Sequence, residues 1–200
     1  MQRIESVEAL EALYDDAVPT SLEKVATRMT PLYRQWIEGS RFVVLTTTGP
    51  EGTDASPRGD DGPVVRIADD QTILMPDWRG NNRLDSLRNI VRDGTASLMF
   101  MVPGCNNVVR INGTAALTAD DEVRERFVQA GKHPRTVIVF TIGEMYFQCA
   151  KALLRSRLWV SGDESDTVPT AGEFIREFKA GFDAVSYDDN YVEAAQERMW

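Results

Sequence analysis

Arginine recurs in three places where this chain could hold an anion. The first is Ser56-Pro57-Arg58-Gly59-Asp60, directly after a β-like run. The second is Ile73 to Arg92, ILMPDWRGNNRLDSLRNIVR, with Arg66 in the run before it. The third is Cys149 to Trp159, which carries Lys151, Arg155, Arg157 and Trp159. In the second, Ile73, Leu74 and Met75 read as a strand, and Pro76 and Gly80 punctuate it. Leu84, Leu87, Ile90 and Val91 then recur at helical spacing. Asp77, Arg79, Asn81, Asn82 and Arg83 fall in the turn between. A strand that hands amides and cations to a helix N-terminus suits an anion, most often a phosphate. A guanidinium stays charged and can grip phosphate bidentately. Taken alone, the same residues also describe an ordinary β–α connection with a solvated turn.

Other chemistries lack their residues. No G-x-G-x-x-G follows the first strand, and there is no Walker P-loop and no G-x-S-x-G elbow. His133 is the single histidine, in a Gly-Lys-His-Pro loop, and Cys105 and Cys149 have no metal-type spacing. A zinc site is therefore not expected, and a Ser-His or Cys-His pair would rest on His133 alone. Cys149 is expected to be a small buried residue, and both cysteines reduced and structural. Hard chemistry on such a chain falls to a cofactor.

The net charge of −9 over 200 residues disfavours nucleic acid or an acidic membrane as partner. Within that acidic background Arg79, Arg83, Arg88 and Arg92 cluster, as do Lys151, Arg155 and Arg157. Apolar content of 42% and charged content of 26% are those of a globular protein. No apolar run approaches the ~20 residues of a membrane span. The first residues are acidic and amphipathic rather than signal-like, so a cytoplasmic protein is expected.

The elements that must position the arginines divide into three. Residues 1–40 read as a helical segment packed on the rest. Glu5 to Tyr14 puts Val7, Leu10 and Leu13 on one face. Thr20 with Glu23 fits a capping box. Thr30-Pro31 reads as N-cap and N1 of a helix ending near Gly39, with Leu32, Trp36 and Ile37 as its buried face. Residues 41–160 carry six or seven strands: 42–48, 53–57, 64–68, the Ile73 strand, 95–102, 108–117 and 135–147. The run 95–102 is nearly continuous in apolar residues, which predicts burial on both faces. One interposed helix follows Leu84. Another, capped by Thr118, runs from Ala119 to about Ala130. Residues 161–200 read as a helical extension, with Thr170 and Glu173 capping one helix and 188–200 forming the last. Hairpin-like strand spacing favours a closed antiparallel barrel with outer helices over a parallel sheet.

The ordered set SPRGD, VVRI, ILMPDWRGNNRLDSLRNI, FMVPG, VVRINGTA and FQCAKALLRSRLW resembles the FMN-binding split-barrel proteins related to pyridoxamine 5′-phosphate oxidase. The resemblance spans about residues 40–160. It implies a mainly β fold, a six-stranded antiparallel split β-barrel with peripheral helices, acting as a homodimer with FMN at the interface. By position it implies that Arg79 to Ser86 hold the FMN phosphate through Asn81, Asn82 and Arg83. It implies that Val65, Arg66 and Ile67 meet the isoalloxazine edge and that Met75, Pro76 and Asp77 line the cofactor. The second subunit would supply Lys151, Arg155, Arg157 and Trp159. Arg58 would reach the flavin or a substrate anion, or pair with Asp60 or Asp61. The basic, His-containing substrate motif of true pyridoxamine-phosphate oxidases is missing after Arg157. The implied function is therefore a flavin-dependent oxidoreductase passing hydride between a reduced nucleotide such as NAD(P)H and a small molecule. The alternatives are a non-enzymatic flavin binder or redox sensor, the same fold with deazaflavin F420 or haem, and an interaction module without a small ligand.

Overall fold

The computed structural model describes residues 1–200. Helices α1 (Val7–Glu11), α2 (Pro19–Glu23) and α3 (Pro31–Glu38) precede strands β1 (Phe42–Gly49), β2 (Gly52–Gly59), β3 (Arg66–Ile67) and β4 (Thr72–Asp77). Then come α4 (Asp85–Arg92), β5 (Thr95–Met101), β6 (Val108–Thr118), α5 (Asp121–Arg124) and β7 (Thr136–Gln148). Helices α6 (Lys151–Ser156), α7 (Ala171–Phe178) and α8 (Ala184–Gln196) close the order, with a 3-10 turn at Ser165–Thr167.

The strands form one antiparallel sheet in the order β2-β1-β5-β6-β7-β4-β3. Its inner face carries a single core that includes Val43, Leu45, Ile73, Met75, Leu98, Phe100, Ile111, Ile138, Phe140 and Met145. The fold is a split barrel, mainly β with helices. It differs from the expected six-stranded closed form in a seventh, two-residue strand, and its outer strands β2 and β3 do not pair with each other. The expected strand 64–68 shrinks to Arg66–Ile67 because Pro63 has no N–H and Val64 donates instead to Ser40 O at 3.0 Å.

Two glycines let the sheet close up locally. At Gly113 the β6–β7 register shifts in a bulge, and a Cβ there would run into the Thr141 carbonyl. At Gly49 a Cβ would run into the Asn89 side chain. Asn89, buried on α4, donates through Nδ2 to Thr47 Oγ1 at 3.2 Å and to Gly52 O at 3.4 Å. These bonds pin α4 across the β1–β2 hairpin.

Several expectations are corrected. Helix α4 buries Ser86, Leu87, Asn89 and Ile90, while Leu84 and Val91 are exposed. The polar residues win the inner positions because they bond to the hairpin. Leu32 is exposed, and Ile37 alone in α3 is fully buried. Val7, Leu10 and Leu13 bury nothing. Helix α2 starts at Pro19 with Val18 at its N-cap and no side-chain cap, so Thr20 lies inside it. Strand β5 alternates: Ala96, Leu98 and Phe100 are buried, and its other face is half open. Helix α5 has four residues, capped by Asp120 rather than Thr118, because Phe127 turns back to pack on Leu74 and Val137. The last helix starts at Ala184, capped by Asp183. Cys149 is exposed, and both cysteines are free. The caps at Thr30 and the Thr170/Glu173 capping box form as expected. No helix is long and apolar enough to cross a membrane.

Candidate functional site

An open cleft of about 1540 Å³ runs along the ends of β2, β4 and β7 and the start of α4. Its first wall is the β4–α4 turn. Asn82 and Leu84 hold positive φ angles of 61° and 62°. Asparagine tolerates this; for leucine it costs ~1–2 kcal/mol. Such left-handed residues cluster where a backbone is shaped for a task. Asn81 Oδ1 accepts from Arg83 N at 3.0 Å and tightens the turn. Leu84 is the N-cap of α4 and offers no side-chain cap. The first-turn N–H groups of α4 therefore remain available, which is the feature that binds anions at helix starts.

The floor is a chain of polar bonds with a fixed direction. Arg58 Nη1 donates to Asp77 Oδ1 at 2.5 Å, with side-chain exposures of 22% and 15%. Arg58 Nε donates to Ser56 Oγ at 3.2 Å. Ser56 and Ser86 hydroxyls lie 3.0 Å apart, and Ser86 donates to Asp54 Oδ2. Each hydroxyl has one proton. Ser86 gives its proton to Asp54, so Ser56 donates to Ser86, and the chain runs from Arg58 to Asp54. Asp54 thus takes up the Ser86 proton.

The opposite end is aromatic. Trp78 Nε1 donates to Asp60 Oδ2 at 2.8 Å, and Gln129 Nε2 donates to Asp60 Oδ1 at 2.8 Å. The Trp78 and Trp200 rings meet edge to face, centroids 5.3 Å apart at 79°. Lys132 Nζ holds the Trp200 carbonyl at 2.9 Å. Arg135 and Thr136 also line the cleft, and Thr136 Oγ1 is shielded from solvent without a hydrogen-bond partner.

Charge on the walls is only partly cancelled. Arg83 pairs with Asp85 at 2.8 Å, Arg92 with Glu51 at 2.9 Å, and Arg58 with Asp77. Arg79, Arg88 and Arg135 line the cleft without an ion pair. At the far end of α4 the Thr95 hydroxyl and N–H hold the Asp93 carboxyl below its ordinary value.

Of the residues predicted from sequence, the cleft brings together Arg58, Pro76, Asp77, Arg79, Asn81, Asn82, Arg83 and Ser86. Val65 and Met75 are buried in the core, and Ile67 packs against it. Arg66 faces outward on β3, its guanidinium 5.3 Å above the Phe127 ring. His133 is exposed and does not line the cleft. Lys151, Arg155, Arg157 and Trp159 follow the other end of β7, where Trp159 Nε1 donates to Cys105 O at 2.8 Å. Thirteen residues of β7 separate the two places, or ~40 Å at about 3.3 Å per residue. Within one chain they do not meet. Asp54, Asp60, Trp78, Arg135 and Trp200 were not foreseen. Asp60 stood in the SPRGD motif and Trp78 in the turn, but Trp200 is far away in sequence.

A family model described as pyridoxamine 5′-phosphate oxidase matches residues 29–149, more than half of the chain. No curated protein matches it. Among solved structures, HupZ of Group A Streptococcus is 15% identical, covering 60% of this chain and 93% of its own, with a TM-score of 0.49. An FMN-binding protein from Syntrophomonas wolfei subsp. wolfei is 16% identical over 58% of this chain and 88% of its own, TM-score 0.43. General Stress Protein 26 from Bacillus anthracis str. Sterne is 14% identical over 57% and 88%, TM-score 0.42.

Proposed function

Because the chain belongs to the pyridoxamine 5′-phosphate oxidase family, we propose that the cleft holds a flavin, FMN, and that the protein is an oxidoreductase. The observation that carries the reading is the uncapped start of α4, set in a turn with Asn81, Asn82, Arg83 and the unpaired Arg88. These donors match a phosphate in charge and in chemistry. Ser86 joins them only by releasing Asp54. Arg58, clamped by Asp77, stands as a fixed cation at the cleft floor rather than a mobile ligand. When bound, FMN supplies a centre that accepts or donates hydride at N5. The protein's own part is to anchor the phosphate, hold a positive field beside the ring system, and leave the aromatic end open. The electron donor in this reading is a reduced nucleotide such as NAD(P)H, and the acceptor is a small molecule.

A homodimer completes the reading. Lys151, Arg155, Arg157 and Trp159 lie too far along β7 to serve their own cleft, so a second copy would have to bring them. The proposal places this assembly in the cytoplasm. The test is direct. Purified protein should be yellow or should quench the fluorescence of added FMN, and NAD(P)H should bleach the bound flavin. A colourless protein that leaves FMN fluorescence unchanged overturns the reading. Separate titrations with F420 and with haem report whether the same cleft prefers another cofactor.

A further inference from the structure

The cleft is larger than one ligand needs, since typical sites enclose ~300–1,000 Å³ against about 1540 Å³ here. Its two ends also differ in chemistry. The α4 end offers helix amides and asparagines, while the other offers two indoles and one free cation. We propose that the Trp78–Trp200 corner, flanked by Arg135, is a second subsite that takes a flat aromatic ring bearing a carboxylate. The flavin reading determines only what such a ring would be presented to; the binding itself stands on the corner alone.

Three observations carry this. The indoles meet at 79° with centroids 5.3 Å apart, so they form a corner. A flat ring laid on one face meets the other's edge, and both contacts are favourable for aromatic groups. The corner is also held before any ligand arrives. Asp60 fixes the Trp78 N–H, Gln129 fixes Asp60, and Lys132 fixes the Trp200 carbonyl. A preorganised wall loses little side-chain freedom on binding.

The third observation is the cation. Asp77 pairs with Thr136 across β4 and β7. Continuing that register sets Arg135 opposite Trp78 and, with a two-residue side-chain period, on the same face. Arg135 is exposed and has no acidic partner. One guanidinium, a planar fork of N–H donors, suits the single charge and two oxygens of a carboxylate. A phosphate dianion suits this end less, since Asp60 and Asp61 also line it and no helix start faces it.

The segment that supplies Trp200 lies outside residues 29–149, which the family model matches. The subsite is thus a property of this chain's own extension, and Trp200 is its specificity-determining residue.

The full chain is titrated calorimetrically with 2-naphthoate, 2-naphthylmethanol and cyclohexanecarboxylate, with and without FMN. The expected order has 2-naphthoate tightest in both states. Trp200→Ala should weaken it about threefold to tenfold, and Trp200→Phe should restore most of that. Arg135→Ala should weaken 2-naphthoate about tenfold or more and leave 2-naphthylmethanol unchanged. FMN affinity should be unaltered in all three variants. Equal binding of 2-naphthoate to wild type, Trp200→Ala and Arg135→Ala overturns the subsite. So does strict competition between 2-naphthoate and FMN. A chain that binds 2-naphthoate as expected but never binds FMN supports the subsite while refuting the flavin reading.

Discussion

Removing the Arg58–Asp77 ion pair tests how the cleft floor is built. The two groups meet at 2.5 Å with side-chain exposures of 22% and 15%. Unit charges ~4 Å apart attract by ~1 kcal/mol in water and ~4 kcal/mol at an effective dielectric of about 20. The low exposure sets this pair between those limits, and desolvation of both ions opposes it. A coupling energy of ~1–2 kcal/mol is expected from a double-mutant cycle of Arg58→Ala and Asp77→Ala. Asp77→Ala alone should cost more, ~2–3 kcal/mol, because it strands a half-dry guanidinium. For a chain of this length that corresponds to a Tm lower by ~4–12 °C. Arg58→Ala also removes the donor to Ser56, which is why the cycle is needed. Urea unfolding of the four proteins gives the coupling, and repeating it in high salt should lower it only modestly, since the pair is mostly shielded. A coupling within ~0.3 kcal/mol of zero would refute the view that this pair organises the floor.

Gly113→Ala should lose ~1–3 kcal/mol, because its Cβ meets the Thr141 carbonyl and the Phe140 ring; an unchanged melting temperature would argue against the bulge. Asn89→Ala removes the bonds to Thr47 and Gly52 and should cost ~1–3 kcal/mol in urea unfolding. Arg88→Ala should weaken FMN by ~1.5–3 kcal/mol in a fluorescence titration, whereas Arg83→Ala, whose partner is Asp85, should cost no more than ~1 kcal/mol. If Arg83→Ala weakens FMN more, the anion site lies on the turn rather than on the helix. On the acid side, the folded state holds the Asp93 carboxyl below its ordinary value, so the unfolded chain binds the proton first. That contribution is complete above about pH 4 and is lost as the pH falls through the folded value. Asp93→Asn should therefore flatten the acid limb of a stability-versus-pH curve, and an unchanged limb would deny the Thr95 bonds their role.

The strand–turn–helix was legible because its signals are local. Pro76, Gly80 and the spacing of Leu87 and Ile90 need no tertiary knowledge, and the cap at Thr30 and the box at Thr170 are equally local. Misreadings occurred where a partner distant in sequence decided. Asn89 looks like a solvated helix residue until Thr47 and Gly52 are placed beside it, and Leu84 and Val91 looked buried only by period. Helix α5 stops early because Phe127 finds Leu74 and Val137. In the site, Arg58 stands out from its motif but its partner does not. Asp77 stands 19 residues away from it, and nothing local separates it from Asp60 or Asp61. Trp200 carries no motif, and only the folded chain brings it to Trp78.

Strand β4 carries one wall of the cleft, yet the edge of it nearer the core belongs to β7, the last strand of the sheet. Asp77 and its partner Thr136 are 59 residues apart. A ribosome adding ~5–20 residues per second needs about 3–12 s to supply that partner. During that interval Ile73, Leu74 and Met75 have emerged with only the two-residue β3 to pair with. The cleft therefore cannot be completed until β7 begins to emerge, and its aromatic end waits longer still, until Trp200. For those seconds the nascent protein carries the apolar β4 without its main partner, which makes the interval between β4 and β7 a stretch where a chaperone or a slower codon would matter.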